Sequence, residues 1–122
     1  MAKKSILVVD DEVEFVDAVR MMFAAHGYDV IGAYNGRDGV EMAKKNSPRV
    51  ILLDLAMPVV SGFDALSQLK TDPRTSDIPV IVVTAQNDLE YAFDAGKLGA
   101  TDYIVKPVRM ESLMELINKY TQ

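Results

Sequence analysis

Short apolar segments alternate five times with segments of helical periodicity, and this alternation limits the folds open to the chain. The apolar runs at residues 5–9 and 50–53 are almost unbroken, which is typical of strands buried on both faces. Strands are predicted at residues 5–9, 28–34, 50–53, 80–83 and 103–105, and helices at residues 12–26, 37–46, 63–69, 89–98 and 110–120. Strands that alternate with helices form parallel sheets covered by helices on both faces. The sequence therefore predicts an α/β fold, a (βα)5 doubly wound parallel sheet.

Turn residues mark the boundaries of the predicted elements. Gly27 follows the first helix as a helix-ending residue, and Pro48 ends the second helix. Asn35-Gly36 is compatible with a β-hairpin or with a strand-to-helix turn, and the second is preferred because no alternating segment follows. The last helix has the clearest apolar stripe, formed by Met110, Leu113, Met114, Ile117 and Tyr120.

Size and composition exclude several classes of protein. A chain of 122 residues is expected to form one domain over residues 1–122. The formal charge of −5 argues against a protein that binds the backbone of nucleic acids. The absence of cysteine excludes disulfides, thiolate nucleophiles and cysteine zinc sites. No apolar run has the length of a membrane span or of a signal peptide, so we expect a cytoplasmic protein.

Polar side chains follow four of the five predicted strands at their carboxyl ends. They are Asp10 and Asp11 after the first, Asp54 after the third, Thr84 after the fourth and Lys106 after the fifth. Each alone has an ordinary structural explanation, since Asp can cap a helix, Thr can satisfy a nearby backbone group and Lys is usually solvated. Together they indicate a site, because ligands of such sheets bind beyond the carboxyl ends of the strands.

The chemistry of these residues favours a metal ion and a phosphoryl group. Carboxylates that converge at one edge repel each other by about 4 kcal/mol per pair at 4 Å and an effective dielectric constant of 20. With an all-oxygen set of ligands, a hard divalent cation is expected to neutralise them, in the first place Mg²⁺, with Mn²⁺ as an alternative. A metal, an ammonium group and a hydroxyl around a carboxylate are the parts that phosphoryl transfer requires.

Four segments of the chain are similar to the receiver domains of two-component response regulators, in particular the single-domain chemotaxis type. The matching segments are Val8-Val9-Asp10-Asp11-Glu12, Leu53-Asp54-Leu55-Ala56-Met57-Pro58 with Gly62, Val83-Thr84-Ala85, and the stretch from Gly99 to Pro107. Each segment is short, but the ordered set is specific and covers essentially the whole chain. The resemblance implies a flavodoxin-like sheet with the strand order 2-1-3-4-5.

The resemblance also implies a role for each site residue. Asp54 would be the phosphoacceptor. Asp11 and Asp54 would contact the metal directly, Asp10 would act through water, and the backbone carbonyl of Ala56 would complete the ligands. Thr84 and Lys106 would hold phosphoryl oxygens. The domain would catalyse its own phosphorylation and dephosphorylation, and it would not be an enzyme acting on a separate substrate.

The resemblance also implies how the domain would signal. Thr84 and Tyr103 would form the switch that changes a protein-binding face made by the fourth helix, fifth strand and fifth helix. A cis bond at Lys106-Pro107 would aim the lysine inward. Ala56 and Gln86 would flank the phosphoryl group, and because Ala56 has no polar side chain we expect slow loss of that group. The implied partners are a sensor histidine kinase or histidine phosphotransfer protein and a downstream protein target.

Three other functions are compatible with parts of the pattern. A magnesium-dependent phosphohydrolase of the haloacid-dehalogenase kind needs a second Asp two positions after the nucleophile, where this chain has Ala56. A flavin mononucleotide module needs a first loop that cradles phosphate, and Asp10-Asp11-Glu12 would repel it. A receiver-like module that binds proteins without phosphorylation stays open. The sequence names neither the kinase nor the target, and it leaves open whether the chain acts alone or within a longer regulator.

Overall fold

The computed structural model describes residues 4–57, 61–85 and 89–121, in which strands and helices alternate throughout. The strands are β1 (Lys4–Val9), β2 (Tyr28–Ala33), β3 (Val50–Leu53), β4 (Val80–Thr84) and β5 (Asp102–Val105). The helices are α1 (Val13–Ala24), α2 (Gly36–Asn46), α3 (Gly62–Thr71), α4 (Leu89–Lys97) and α5 (Met110–Thr121). Every predicted element is present, and no boundary differs from the predicted one by more than two residues.

The five strands form one parallel sheet in the order β2-β1-β3-β4-β5. This confirms the predicted doubly wound fold and the strand order implied by the resemblance. β1 lies between β2 and β3, so the chain runs outward from β1 in both directions across the sheet. In such sheets a crevice opens at the carboxyl ends of the strands where the order reverses. Here that crevice lies beyond Val9 of β1 and Leu53 of β3, which are paired in register.

Alternate residues of the central strands face two separate apolar cores, because successive side chains of a strand point to opposite faces. Leu7 and Ile51 belong to the core that includes Leu66 of α3. Ile6 and Val50 belong to the other core, which includes Phe23 of α1 and the α5 residues Leu113 and Ile117. Burial on both faces explains why β1 and β3 appear in the sequence as apolar runs without alternation.

The turns follow from local side-chain chemistry. Asn35 caps α2, and its side-chain oxygen accepts a hydrogen bond of 2.8 Å from the backbone N–H of Asp38. This confirms the strand-to-helix turn at Asn35-Gly36. α1 ends at Ala24, two residues before the predicted end, and Gly27 follows with φ of 86°. None of the helices in the described ranges has the length and apolar character that a membrane crossing requires.

Candidate functional site

Asp10 and Asp54 lie side by side where β1 and β3 end. The backbone N–H of Asp54 donates to the carbonyl of Val9 at 3.0 Å, and that of Asp10 donates to Ala33 at 3.0 Å. The ladder of the sheet thus continues one residue beyond the strands and fixes both acids. Asp10 is 1% exposed and Asp54 is 5% exposed. Carboxylates are rarely buried to this degree unless they are paired.

Lys106 supplies the positive charge that these buried acids need. Its Nζ lies 2.7 Å from Oδ2 of Asp10, 2.6 Å from Oε1 of Glu12 and 3.6 Å from Oδ2 of Asp54. It also lies 4.5 Å from the centre of the Phe15 ring, a distance at which a cation is attracted to the aromatic face. Lys106 reaches the acids because β5 ends beside β4, and its backbone N–H donates to the carbonyl of Thr84 at 2.8 Å. The bond from Lys106 to Pro107 is cis.

The structure groups Glu12, and not Asp11, with the two buried acids. One ligand atom from each of Asp10, Glu12 and Asp54 lies within 4.8 Å of the others. Asp11 is exposed and lies outside this group. Its role as a metal ligand, which the resemblance implies, stays a prediction. The sequence alone does not assign Glu12 to the site. The only sequence signal for it is its place in the acidic run Asp10-Asp11-Glu12 after the first strand.

Burial and interactions with neighbouring groups shift the pKa values of Asp10 and Lys106 in opposite directions. Burial raises the pKa of Asp10, while hydrogen bonds from the Lys106 ammonium and from the Glu12 backbone N–H pull it down, and the net pKa is above 3.8. Burial lowers the pKa of Lys106, but hydrogen bonds with Asp10 and Glu12 and the charges of Asp10 and Asp54 outweigh it, and the net pKa is raised above 10.5. The ammonium form of Lys106 is therefore held by the acids. Because three carboxylates surround one ammonium, the site keeps a negative surplus that attracts a cation.

The loop after β3 approaches its neighbours closely. Oδ1 of Asp54 accepts a hydrogen bond of 3.0 Å from the backbone N–H of Ala56. Gly62, the first residue of α3, has no room for a side chain, since a Cβ there would lie 2.2 Å from Cα of Leu55 and 2.3 Å from the carbonyl oxygen of Asp54. The glycine therefore allows α3 to begin directly against the backbone that carries Asp54.

The residues expected to form the switch lie on β4 and β5. Thr84 is fully buried as the last residue of β4 and pairs in register with Val105. Tyr103 is half-buried and packs against the core that includes Leu66. Their roles stay predictions, as does the role of Ala56. Gln86, the other residue expected to flank the phosphoryl group, lies outside the described residues, as does Pro58.

A cleft of about 430 Å³ opens beside the acids, on the side of α1 and of the chain that follows β5. Its lining joins the charged groups of the site to an apolar surface. The lining residues are Glu12, Phe15, Ala85, Lys106, Pro107, Val108 and Met110. The arrangement gives access from solvent to Lys106, which is 13% exposed, without exposing Asp10 or Asp54.

Comparisons with known proteins agree on one family. The sequence matches the family model described as response regulator receiver domain over residues 6–118. It is 42% identical to Protein PilH of Pseudomonas aeruginosa over 113 residues, which cover 93% of this chain and 93% of PilH. It is 34% identical to the chemotaxis protein CheY of Thermotoga maritima over 121 residues, which cover 98% of each protein.

Solved structures show the same fold. The chemotaxis protein CheY4 of Vibrio cholerae superposes with a TM-score of 0.91 at 28% identity, with 98% of this chain and 99% of CheY4 covered. Other relatives are longer. The chain spans 51% of the probable transcriptional regulator ycf27 of Porphyridium aerugineum, for example.

Proposed function

Because this chain belongs to the response regulator receiver domains of two-component signalling, we propose that Asp54 is the residue that accepts the phosphoryl group. One observation carries the proposal. The buried carboxylate of Asp54 lies 3.6 Å from the Lys106 ammonium and is grouped with two further acids, Asp10 and Glu12. An anion on Asp54 would thus meet a cation that is already in place.

The reaction is a displacement at phosphorus. An oxygen of the ionised Asp54 forms a bond to phosphorus, and the bond from phosphorus to the donor breaks. The electron pair of that bond leaves on the imidazole nitrogen of a phosphohistidine or on the acyl oxygen of a small acyl phosphate. Lys106 and the hydroxyl of Thr84 would bind the phosphoryl oxygens as charge develops on them. Attack by water on the acyl phosphate later returns the Asp54 carboxylate and releases inorganic phosphate.

The donor atoms at the site suit Mg²⁺, which receiver domains bind at an acidic cluster. As the family resemblance implies, Asp11, Asp54 and the backbone carbonyl of Ala56 would contact the metal directly, and Asp10 would act through water. Mn²⁺, which accepts the same oxygen ligands, is an alternative. The negative surplus of the site supports this assignment, since Lys106 alone leaves the acids incompletely neutralised. When bound, the metal supplies positive charge that lets an anionic donor approach these acids.

Output would pass through a protein-binding surface. Movement of Thr84 and Tyr103 would alter the face made by α4, β5 and α5. These elements carry exposed apolar side chains, with Leu89 85%, Phe93 66% and Val105 39% exposed, which supports binding of a protein target. The phosphoryl donor would be a sensor histidine kinase or a histidine phosphotransfer protein in the cytoplasm, and direct binding of nucleic acid or membrane is not part of the proposal.

Residues 1–122 are proposed to form one receiver domain. Whether it acts by itself or as part of a longer regulator differs among its relatives, since the chain spans nearly all of PilH but about half of ycf27. In either setting the proposed chemistry at Asp54 is the same.

The proposal is tested by incubating the protein with acetyl phosphate, with and without Mg²⁺, and measuring the intact mass. Wild type should gain the mass of one phosphoryl group only when Mg²⁺ is present, and Asp54→Asn should gain none. Asp64→Asn is the matched control, because Asp64 is an exposed acid of α3 and its variant should gain the adduct as wild type does. A wild-type protein that stays unmodified in the presence of Mg²⁺ would contradict the proposed role of Asp54 and leave the module that binds proteins without phosphorylation as the alternative.

A further inference from the structure

Lys106 is held mainly by two carboxylates that differ greatly in exposure. Asp10 and Glu12 lie 2.7 Å and 2.6 Å from its Nζ, whereas Asp54, at 3.6 Å, is beyond hydrogen-bond distance. The side chain of Asp10 is 2% exposed and that of Glu12 is 59% exposed. Asp10 is therefore a fixed partner of the ammonium, while Glu12 is a partner that can leave into solvent.

Glu12 directly precedes α1, at the position whose side chain usually caps a helix. It is the N-cap residue of α1, but its side chain makes no capping hydrogen bond. The residues that cap helices well are Asp, Asn, Ser and Thr, whose short side chains reach the first free N–H groups. The longer side chain of Glu12 instead extends to Lys106. The contact with Lys106 thus replaces a cap that a shorter acid would form.

Phe15 lies on the same side of the ammonium. It lies in the first turn of α1, and its backbone N–H donates to the carbonyl of Glu12 at 3.1 Å. Its ring centre is 4.5 Å from Nζ. Together with Asp10, these groups draw the ammonium toward α1 and away from Asp54.

We propose that Glu12 is an internal competitor of the phosphoryl group for Lys106. This inference rests on the proposed function of Asp54. A carboxylate oxygen and a phosphoryl oxygen are acceptors of the same kind for an ammonium donor, and Glu12 takes the place that a phosphoryl oxygen would fill. An anionic donor must displace it, so Glu12 weakens donor binding in the unmodified protein. Asp10 and Phe15 keep the ammonium within reach while Glu12 leaves. Glu12 acts as a positioning residue that sets the affinity for the donor.

Two variants distinguish competition for Lys106 from simple electrostatic repulsion between Glu12 and the anionic donor. Glu12→Gln keeps the length of the side chain and removes its charge. Glu12→Asp keeps the charge, but its shorter carboxylate is expected to cap α1 and to withdraw from Lys106. Both should lower the KM for acetyl phosphate by about threefold to tenfold, as expected when one charged hydrogen bond no longer has to be broken, with kcat changed by less than about twofold.

Glu14→Gln is the matched control. Glu14 is an exposed acid in the first turn of α1, and it forms no ion pair in the part of the chain that the structure describes. Its variant removes the same charge near the site and should leave the KM as in wild type. A lower KM in Glu12→Gln but not in Glu12→Asp would overturn the proposal, because charge alone would then account for the effect. A higher KM in Glu12→Gln would also overturn it, since Glu12 would then assist binding.

A second measurement needs neither metal nor phosphorylation. In metal-free protein, the rate at which an acetylating reagent modifies Lys106, read by peptide mass spectrometry, should rise in both Glu12 variants and stay unchanged in Glu14→Gln. Unchanged labelling of Lys106 in the Glu12 variants would overturn the competitor role while leaving phosphorylation of Asp54 intact. If incubation with acetyl phosphate and Mg²⁺ gives no phosphoryl adduct on the wild-type protein, the proposed function is wrong and the competitor role is wrong with it.

Discussion

The individual residues at the end of the sheet show how side-chain length decides which acids meet. Asp10 and Asp54 approach because their backbones are neighbours in the sheet, and short side chains suffice for the contact. Glu12 reaches the same place from the start of α1 because its side chain is longer. Asp10 and Asp54 therefore lie near the Lys106 ammonium because of the sheet, and Glu12 lies near it because of its longer side chain.

Ala56 is the residue where the lifetime of the phosphoryl group can be tested. It follows Asp54 by two residues, is exposed, and offers only its backbone N–H to the acceptor carboxylate. An amide side chain at this position could orient an attacking water. We expect Ala56→Asn to speed loss of the phosphoryl group by about threefold to tenfold, which corresponds to about 0.6–1.4 kcal/mol of the barrier. The check is a decay time course of the phosphorylated protein by intact mass, and equal decay of the variant and wild type would contradict it.

Among the elements, α3 begins in direct contact with the chain that forms the site. It begins at Gly62, whose backbone N–H donates to the carbonyl of Leu55 at 3.1 Å. Ser61 caps the helix by accepting from the N–H of Asp64 at 3.2 Å. The start of the helix is thus tied to the chain that carries Asp54 on one side and to its own cap on the other.

Gly62→Ala should disrupt this junction. The added Cβ would lie 2.2 Å from the Cα of Leu55, and backbone cannot move aside as a flexible side chain can. We expect a loss of about 2 kcal/mol or more in the free energy of unfolding, measured with urea. Gly96→Ala is the control, because Gly96 lies within α4 and an added Cβ meets nothing within 4 Å. That variant should be stabilised by about 0.5–1 kcal/mol, and equal effects of the two changes would contradict this account.

For the molecule as a whole, the charge of Lys106 makes the free energy of unfolding depend on pH in the alkaline range. The pKa of Lys106 is raised above 10.5 in the folded protein, because its carboxylate partners outweigh the effect of burial. The ammonium therefore stabilises the folded state fully below pH 10.5, and this contribution is lost as the pH rises through the higher folded pKa. Lys106→Met should lower the free energy of unfolding by about 2 kcal/mol at neutral pH, and the difference from wild type should shrink in strongly alkaline solution.

Urea unfolding of both proteins across this range measures the effect. Lys45→Met serves as the control, since Lys45 is an exposed lysine in the last turn of α2 and should show no comparable difference. A difference between Lys106→Met and wild type that does not change with pH would contradict the assignment to the ammonium charge.

How much the sequence predicts depends on whether a feature is local to an element. The strands were predictable because β1 and β3 are buried on both faces and appear as apolar runs, and the acids that follow them had to share one edge of a parallel sheet. The strand order came only from the family resemblance, because spacing does not determine which strand lies beside which. The contact of Glu12 with Lys106 was not predicted, since it depends on the direction in which α1 leaves the sheet. The resemblance also directed attention to Asp11, which lies outside the group of acids that the structure brings together.

The pairing of Lys106 with Asp10 joins residues that are 96 positions apart. During synthesis, Asp10 and Asp54 leave the ribosome well before Lys106, so a partly made chain holds the acids without their ammonium. Such a chain could not bind a donor in the proposed manner. We therefore expect the protein to accept no phosphoryl group until translation has supplied β5.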